Sequence, residues 1–237
     1  MEPYPAFFVE AARVRGVYDN TLDDASVIMA MLRARNARRV LDVPCGFGRI
    51  AGPLHTAGFD VVAVDASTEQ LDLARRLNPG PEYLLGNMIE PPRGPFDVIL
   101  NLYTSFGYMA DVRGDQLCLI RWNEVLRPGG LLVIETLDTV RVAAIDESER
   151  HLQRDDGVFV RVTGPLTEYI STDWQTNIMS IDYRIGNQRF VSRTRLYHRD
   201  DLVTMLRDSG FSIVQVYSNL KCSPVMPLGS TVFFATK

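Results

Sequence analysis

The sequence predicts an α/β fold: a doubly wound, mostly parallel sheet that carries an antiparallel β insertion. Between Arg39 and Glu135, short apolar, β-branched runs alternate with turns and with segments of helical spacing, the chain pattern of a sheet with helices on both faces. Those runs are not broken by polar alternation, as expected for strands buried on both sides. From Val158 onward the period changes to strand-like stretches separated by glycine-containing turn signals, which reads as a set of hairpins.

The elements follow in order. Met1–Asn20 reads as a helical or lid segment and Ser26–Arg35 as an amphipathic helix. Val40–Val43 is the first buried run, and a helix follows at Ile50–Ala57. Asp60–Val64 is the second run, backed by a helix at Glu69–Arg76, and Tyr83–Leu85 is a weaker strand. Phe96–Leu100 precedes a helix at Asp115–Leu126, which Pro128, Gly129 and Gly130 stop before the strand Leu131–Glu135. The insertion is expected over residues 150–198. Its strands are Val158–Thr163, Leu166–Ser171, Asn177–Ile185 and Arg189–Tyr197, turning at Gly164-Pro165 and Gly186-Asn187. A helix at Asp200–Ser209 and strands at Ser212–Tyr217 and Thr231–Ala235, joined by a loop with Pro224 and Pro227, return the chain to the core. At 237 residues this suits one domain. Its parts are N-terminal helices or lid (1–35), core (36–137), insertion (150–198) and return (199–237).

The chemistry concentrates where the first strand breaks, at Val40-Leu41-Asp42-Val43-Pro44-Cys45-Gly46-Phe47-Gly48-Arg49. Gly46 and Gly48 can take backbone angles barred to other residues and let a ligand come close; alone, the same pattern also describes an ordinary tight turn. Asp65 ends the next strand, where a carboxylate can accept the ribose hydroxyls of an adenosine. The dinucleotide fingerprint is off register, because its third glycine would fall at Ala51 and Gly52 comes one residue late.

On these residues the chain resembles the class I S-adenosylmethionine-dependent methyltransferases over nearly its whole length. Asp42–Gly48 is similar to that family's first motif, with Pro44 standing where a glycine is common. Asp65 is similar to its ribose-binding acid. Gly86-Asn87-Met88 occupies the place of its adenine contact, and Asn87 replaces an aspartate while keeping a carbonyl that can accept from the adenine amino group. Phe96–Leu102 is similar to the fourth strand, whose end faces the methyl-donor sulfur, and Leu126–Leu132 to the helix-turn-strand that follows. More narrowly, Thr104-Ser105-Phe106-Gly107-Tyr108, and Arg195-Leu196-Tyr197 ahead of Arg199-Asp200-Asp201-Leu202, resemble small-molecule members. That subgroup includes N,N-dimethyltransferases of nucleotide-linked amino sugars.

The resemblance implies a Rossmann-like core with the antiparallel insertion covering the substrate side, and S-adenosylmethionine as cofactor. It implies donor contacts from Tyr18, Asp42, Gly46, Gly48, Asp65, Ala66, Asn87, Met88, Asn101 and Leu102. The reaction implied is methyl transfer to a small-molecule acceptor, an amine in preference to a hydroxyl or carboxylate. Donor motifs alone would equally serve an enzyme that uses S-adenosylmethionine for elimination or cyclisation, or a non-catalytic scaffold.

Methyl transfer from a sulfonium is an in-line displacement, so alignment and exclusion of water dominate. A base is optional for an amine; for a hydroxyl it is worth roughly 10²- to 10⁴-fold. His198 is the candidate base, with capping of the following helix as its other role. Asn101 is the second catalytic candidate, placed at a strand's carboxyl end where open α/β sheets bind ligands, with a satisfied turn residue as the alternative. His55 and His151 are assigned no catalytic role. Tyr4, Arg15 and Tyr18 are candidates for a lid, Tyr18 offering ring or hydroxyl to the donor. Cys45 has no evident thiolate activator and reads as packing.

A net charge of −4 without any dense Lys/Arg run argues against a nucleic-acid phosphate track. Asn101-Leu102-Tyr103-Thr104, in place of an Asn-Pro-Pro-Tyr motif, argues against base methylation. Three irregularly spaced cysteines suit neither a disulfide framework nor a metal site. Pro3, Pro5 and Glu10 break the layout of a signal peptide, and no charge-free stretch reaches about 20 residues. The expectation is a cytoplasmic monomer or homodimer without metal, membrane or nucleic-acid partner.

Overall fold

The computed structural model describes residues 4–16, 18–148, 154, 156–223 and 231–237. Helices α1 (Phe7–Val14) and α2 (Thr21–Ala34) precede a core built of β1 (Arg39–Asp42), α3 (Ala51–Thr56), β2 (Asp60–Asp65), α4 (Thr68–Leu77), β3 (Glu82–Leu85), β4 (Phe96–Asn101), α5 (Val112–Val125) and β5 (Leu126–Thr136). Helix α6 (Thr139–Ser148) leads to β6 (Phe159–Thr163), β7 (Leu166–Asp173), β8 (Ile178–Ile185) and β9 (Gln188–Arg195). The chain then returns through α7 (Arg199–Asp208), β10 (Ile213–Tyr217) and β11 (Thr231–Thr236).

The core sheet runs β10-β11-β5-β4-β1-β2-β3. Strands β1 to β5 pair in parallel, while β11 runs antiparallel to both β5 and β10. Successive side chains point to opposite faces, so each strand feeds two apolar layers. Val40 and Val98 pack with Ile28, Leu32 and Leu54 from α2 and α3. Leu41 and Ile99 pack with Leu119 and Trp122 of α5 and with Leu202 and Leu206 of α7. The order of strands reverses between β1 and β4, and this is where an open α/β sheet forms a crevice beyond its carboxyl ends. Among the described residues no helix is long and apolar enough to cross a membrane.

Strands β6 to β9 form a separate antiparallel sheet in chain order. Two of its three hairpins turn at Gly164 and Gly186, whose φ values of 54° and 55° suit glycine, and the third turns over 174–177, where Asn177 takes φ 54°. The insertion leaves and rejoins the core at one place. Asp138 bridges Tyr197, and the Thr139 N–H donates to the Tyr197 carbonyl at 3.1 Å. Two buried carboxylates secure this junction. Asp115 accepts from Arg195 (2.8 Å) and from the Tyr197 hydroxyl (2.7 Å). Asp138 accepts from Arg199 (2.5 Å), the Thr231 hydroxyl (2.7 Å) and the Arg141 N–H (2.8 Å).

Three expectations change. Pro128-Gly129-Gly130 does not separate helix from strand, because β5 starts at Leu126 and the register jumps from Phe96 opposite Leu126 to Val98 opposite Leu131. The three residues are thus accommodated as an irregularity within a paired strand. Helix α2 begins at Thr21 rather than Ser26, with Asp23 and Asp24 in its first turn, where negative charge opposes the positive end of the helix dipole. Helix α6 falls where no element was expected. His151, Pro224 and Pro227 lie outside the described residues.

Candidate active site

A cavity of about 900 Å³ opens at the carboxyl ends of β1, β2 and β4 and extends to the insertion sheet. Its first wall is the turn from β1 into α3. Gly46 sits there at φ 54°, and its N–H donates to Asp65 Oδ2 at 2.8 Å. Asp65 Oδ1 accepts from the Ser67 N–H at 2.9 Å. Two backbone donors therefore fix the carboxylate and leave acceptor capacity for a ligand, since an ionised carboxylate has about four lone-pair sites. Burial raises the Asp65 pKa, opposed by the Ser67 and Gly46 N–H groups.

Gly46, Asp65, Ala66, Asn87, Met88 and Leu102 all line the cavity, as do Asp42 and Tyr18. Asn87 Oδ1 accepts from the Ile89 N–H at 3.1 Å, which sets the side chain in a local turn. The Met88 carbonyl is anchored by the indole N–H of Trp122 at 2.8 Å. An adenosine fits the chemistry of this wall: a glycine without Cβ, and two acceptors, a backbone-held carboxylate and a neutral amide carbonyl.

Gly48 serves a different purpose from the one expected. It does not line the cavity, and a Cβ there would lie 2.2 Å from the Tyr83 hydroxyl, which itself donates to the Asn78 carbonyl at 2.6 Å. Close packing of β3 against the turn requires this glycine. Asn101 is also turned away from the cavity. It is fully buried, and its Nδ2 donates to the Val43 carbonyl at 2.8 Å, bracing the turn from behind. His198 caps α7, its Nδ1 accepting from the Asp200 N–H at 3.3 Å, and it does not line the cavity. His198→Ala should therefore leave kcat/KM within twofold, as measured by initial rates; a tenfold loss would return it to the reacting centre.

Arg49 was not among the expected residues. Its guanidinium is 7% exposed and pairs with Asp24 at 3.1 Å, donates to Thr21 Oγ1 at 3.2 Å and stacks 4.0 Å over the Tyr103 ring. The Tyr18 ring meets Phe47 at 4.9 Å. Arginine and aromatics together tie the glycine turn to the start of α2. A sequence signal was present, an arginine between the glycine turn and the apolar start of α3. Tyr103 and Thr104, at the end of β4, take φ values of 59° and 55°, a region that costs a non-glycine residue about 1–3 kcal/mol and is common at functional sites.

Asp42 ends β1 almost fully buried. Burial pushes its carboxyl up to about 7, with Arg49 pulling the other way. An acid whose pKa is raised on folding contributes stability that is complete below the ordinary carboxylate range and lost as pH rises through the folded value. The span amounts to about 4 kcal/mol. Wild-type stability relative to Asp42→Asn should accordingly fall between about pH 4 and pH 7 in denaturant titrations, and parallel pH profiles would refute this.

Part of the cavity wall is aromatic. The Tyr4 hydroxyl donates to the Tyr108 hydroxyl at 2.9 Å, and the Tyr4 ring packs on Phe8 and Phe190. Burial raises the pKa values of Tyr4, Tyr108 and Tyr183, so these phenols stay protonated at neutral pH. The N-terminal segment is latched to α4: Ser67 Oγ donates to the Tyr4 carbonyl (2.7 Å), Gln70 Nε2 to the Pro5 carbonyl (2.9 Å) and the Ala6 N–H to Glu69 (2.6 Å).

Residues 40–130, the stretch from β1 into β5 that includes Gly46, Asp65 and Asn87, match the family model described as methyltransferase domain. That stretch is less than half of the chain. The chain is 34% identical over 149 residues to glycine N-methyltransferase of Rattus norvegicus, covering 53% of this chain and 51% of that protein. The chain thus spans about half the length of the curated relatives it matches. Among solved structures, the CcbJ methyltransferase from Streptomyces caelestis aligns with a TM-score of 0.77 at 19% identity, covering 91% of this chain and 88% of that one. CalS10, a SAM-bound amino pentose methyltransferase from Micromonospora echinaspora, aligns with a TM-score of 0.68 at 20% identity, covering 100% and 98%. These structural likenesses concern the fold, and their coverage takes in the insertion sheet of this chain as well as its core.

Proposed function

We propose that this protein transfers the methyl group of S-adenosylmethionine to an amine of a small molecule. The observation that supports it is one continuous cavity lined by Gly46, Asp65 and Asn87 and also by Tyr4, Tyr108 and Tyr183. When bound, S-adenosylmethionine supplies an electrophilic methyl group on a sulfonium.

The chain's residues then have distinct tasks. Asp65 accepts from the ribose hydroxyls, Gly46 permits close approach, and the Asn87 carboxamide faces the adenine. Arg49, Tyr18 and Tyr103 pack across the neighbouring edge and keep water out. Tyr4 and Tyr108, both protonated, hold the acceptor by hydrogen bonds and do not act as bases. Among the described residues no histidine lines the cavity. A neutral amine needs none, because its lone pair attacks directly, whereas a hydroxyl gains most from a positioned base. Glycine N-methyltransferase and the amino pentose methyltransferase, both similar to this chain, are named for nitrogen-bearing acceptors.

The test is incubation with S-adenosylmethionine and a panel of amino sugars, amino acids, phenols and carboxylates, following S-adenosylhomocysteine and acceptor mass together. An amine that gains CH₂ with matching S-adenosylhomocysteine is expected. Turnover confined to phenols or carboxylates would overturn the amine assignment, and S-adenosylmethionine consumed without any methylated product would overturn methyl transfer.

A further inference from the structure

The cavity has a charged wall as well as an aromatic one. Arg15, just past α1, and Arg161, in the middle of β6, both line it. Behind them lies Glu168 of β7, the cross-strand partner of Arg161, with its side chain fully buried. Arg15 Nη1 stands 3.2 Å from Glu168 Oε1, and Arg161 Nη1 stands 3.7 Å from Oε2. Neither carboxylate oxygen is held in hydrogen-bond geometry among the described residues.

One buried carboxylate thus faces two guanidinium groups. A buried carboxylate requires a counter-charge, and one arginine supplies it. The second leaves this wall with a surplus positive charge. At 29% and 35% exposure, both guanidinium groups are partly desolvated, a setting in which attraction for an anion is stronger than in water. Each carries five N–H donors in a planar fork, and one direction of each points at Glu168. Elsewhere on the lining the charges are mixed, with Asp42, Asp65 and Glu135 beside Arg49 and Arg141.

We infer that Arg15 and Arg161, positioned by Glu168, form an oxyanion subsite that receives a carboxylate or phosphate carried by the amine acceptor. Forked guanidinium donors match the oxygens of both groups. The inference rests on the methyl-transfer reading above and narrows its acceptor to amines that also bear an anionic group.

Calorimetric titration of the full chain with inorganic phosphate and, separately, with acetate tests it at fixed ionic strength. The variants are Arg161→Gln, Arg15→Gln and Arg161→Lys, and S-adenosylhomocysteine affinity is measured in each sample. Wild type is expected to bind at least one of the two anions, and the preferred one names the group on the acceptor. Both glutamine variants should bind it at least tenfold more weakly, Arg161→Lys should fall between, and S-adenosylhomocysteine affinity in Arg161→Gln should stay within twofold. Absence of anion binding in wild type, or unchanged binding in either glutamine variant, would show that the arginines serve only to neutralise Glu168. Arginine-dependent anion binding without S-adenosylhomocysteine binding would sink the donor reading and leave the subsite standing.

Discussion

Asp65→Ala is expected to raise the Kd for S-adenosylmethionine at least tenfold. A hydrogen bond to a charged acceptor contributes about 1.5–3 kcal/mol, and about 1.4 kcal/mol is one decade of affinity. The substitution also acts from inside the protein. The N–H groups of Gly46 and Ser67 both donate to this carboxylate, so its loss strips two backbone donors of their acceptor and loosens the glycine turn. Asp65→Asn separates the two effects: one amide oxygen can keep only one of those donors, and the charge is gone. The expected order of affinity is wild type, then Asn, then Ala. Calorimetric titration with S-adenosylmethionine, alongside urea denaturation, reads both consequences, and an Asp65→Ala protein with wild-type donor affinity would remove the ribose assignment.

Asp138→Ala should have the largest effect on stability, a loss of about 3–5 kcal/mol, as expected when one partner of a buried ion pair is removed. Asp138 is 1% exposed and gathers Arg199 from α7, Thr231 from β11 and the Arg141 N–H from α6. Burial alone would raise its pKa, but the bonds from Thr231, the Arg141 N–H and Arg199 hold it below the usual carboxylate range. Its contribution is therefore present above the ordinary carboxylate pKa and lost as pH falls through the lowered one. Chemical denaturation at neutral pH measures the loss, which should narrow in strong acid. A difference from wild type that did not change with pH would show that Asp138 acts by packing rather than by charge.

The core strands were legible because buried parallel strands must be apolar throughout, and Val40–Val43, Asp60–Val64 and Phe96–Leu100 are nearly so. The glycine turn was legible for a related reason, since a left-handed turn needs glycine at position 46; that the carboxylate ending β2 takes the Gly46 and Ser67 N–H groups was not. Side-chain direction was less legible. Asn101 and Leu102 are adjacent, yet one braces the Val43 carbonyl and the other faces the cavity, and sequence does not say which way a strand's final residue turns. Gly48 fits a ligand motif but is required by Tyr83, a neighbour 35 residues away in the sequence. Helix α6 has no apolar stripe to announce it, since Val142 is its buried contact and Arg141, Ile145 and Asp146 face the cavity. Arg15, Arg161 and Glu168 meet only when the insertion sheet folds over α1.

The single junction at Asp138 and Tyr197, where the insertion both departs and rejoins, bears on how such a protein can change over time. A segment attached through one doorway can lengthen, shorten or be replaced without re-threading the parallel sheet. Selection for a new acceptor can therefore act on residues 139–196 as a cassette, leaving the strand ends around Gly46 and Asp65 undisturbed. Engineers have the same freedom: a graft between related chains should be cut at the Asp138–Tyr197 bridge and should carry Asp115, Asp138, Arg195 and Arg199 along with it, because those four side chains are its hinge pins.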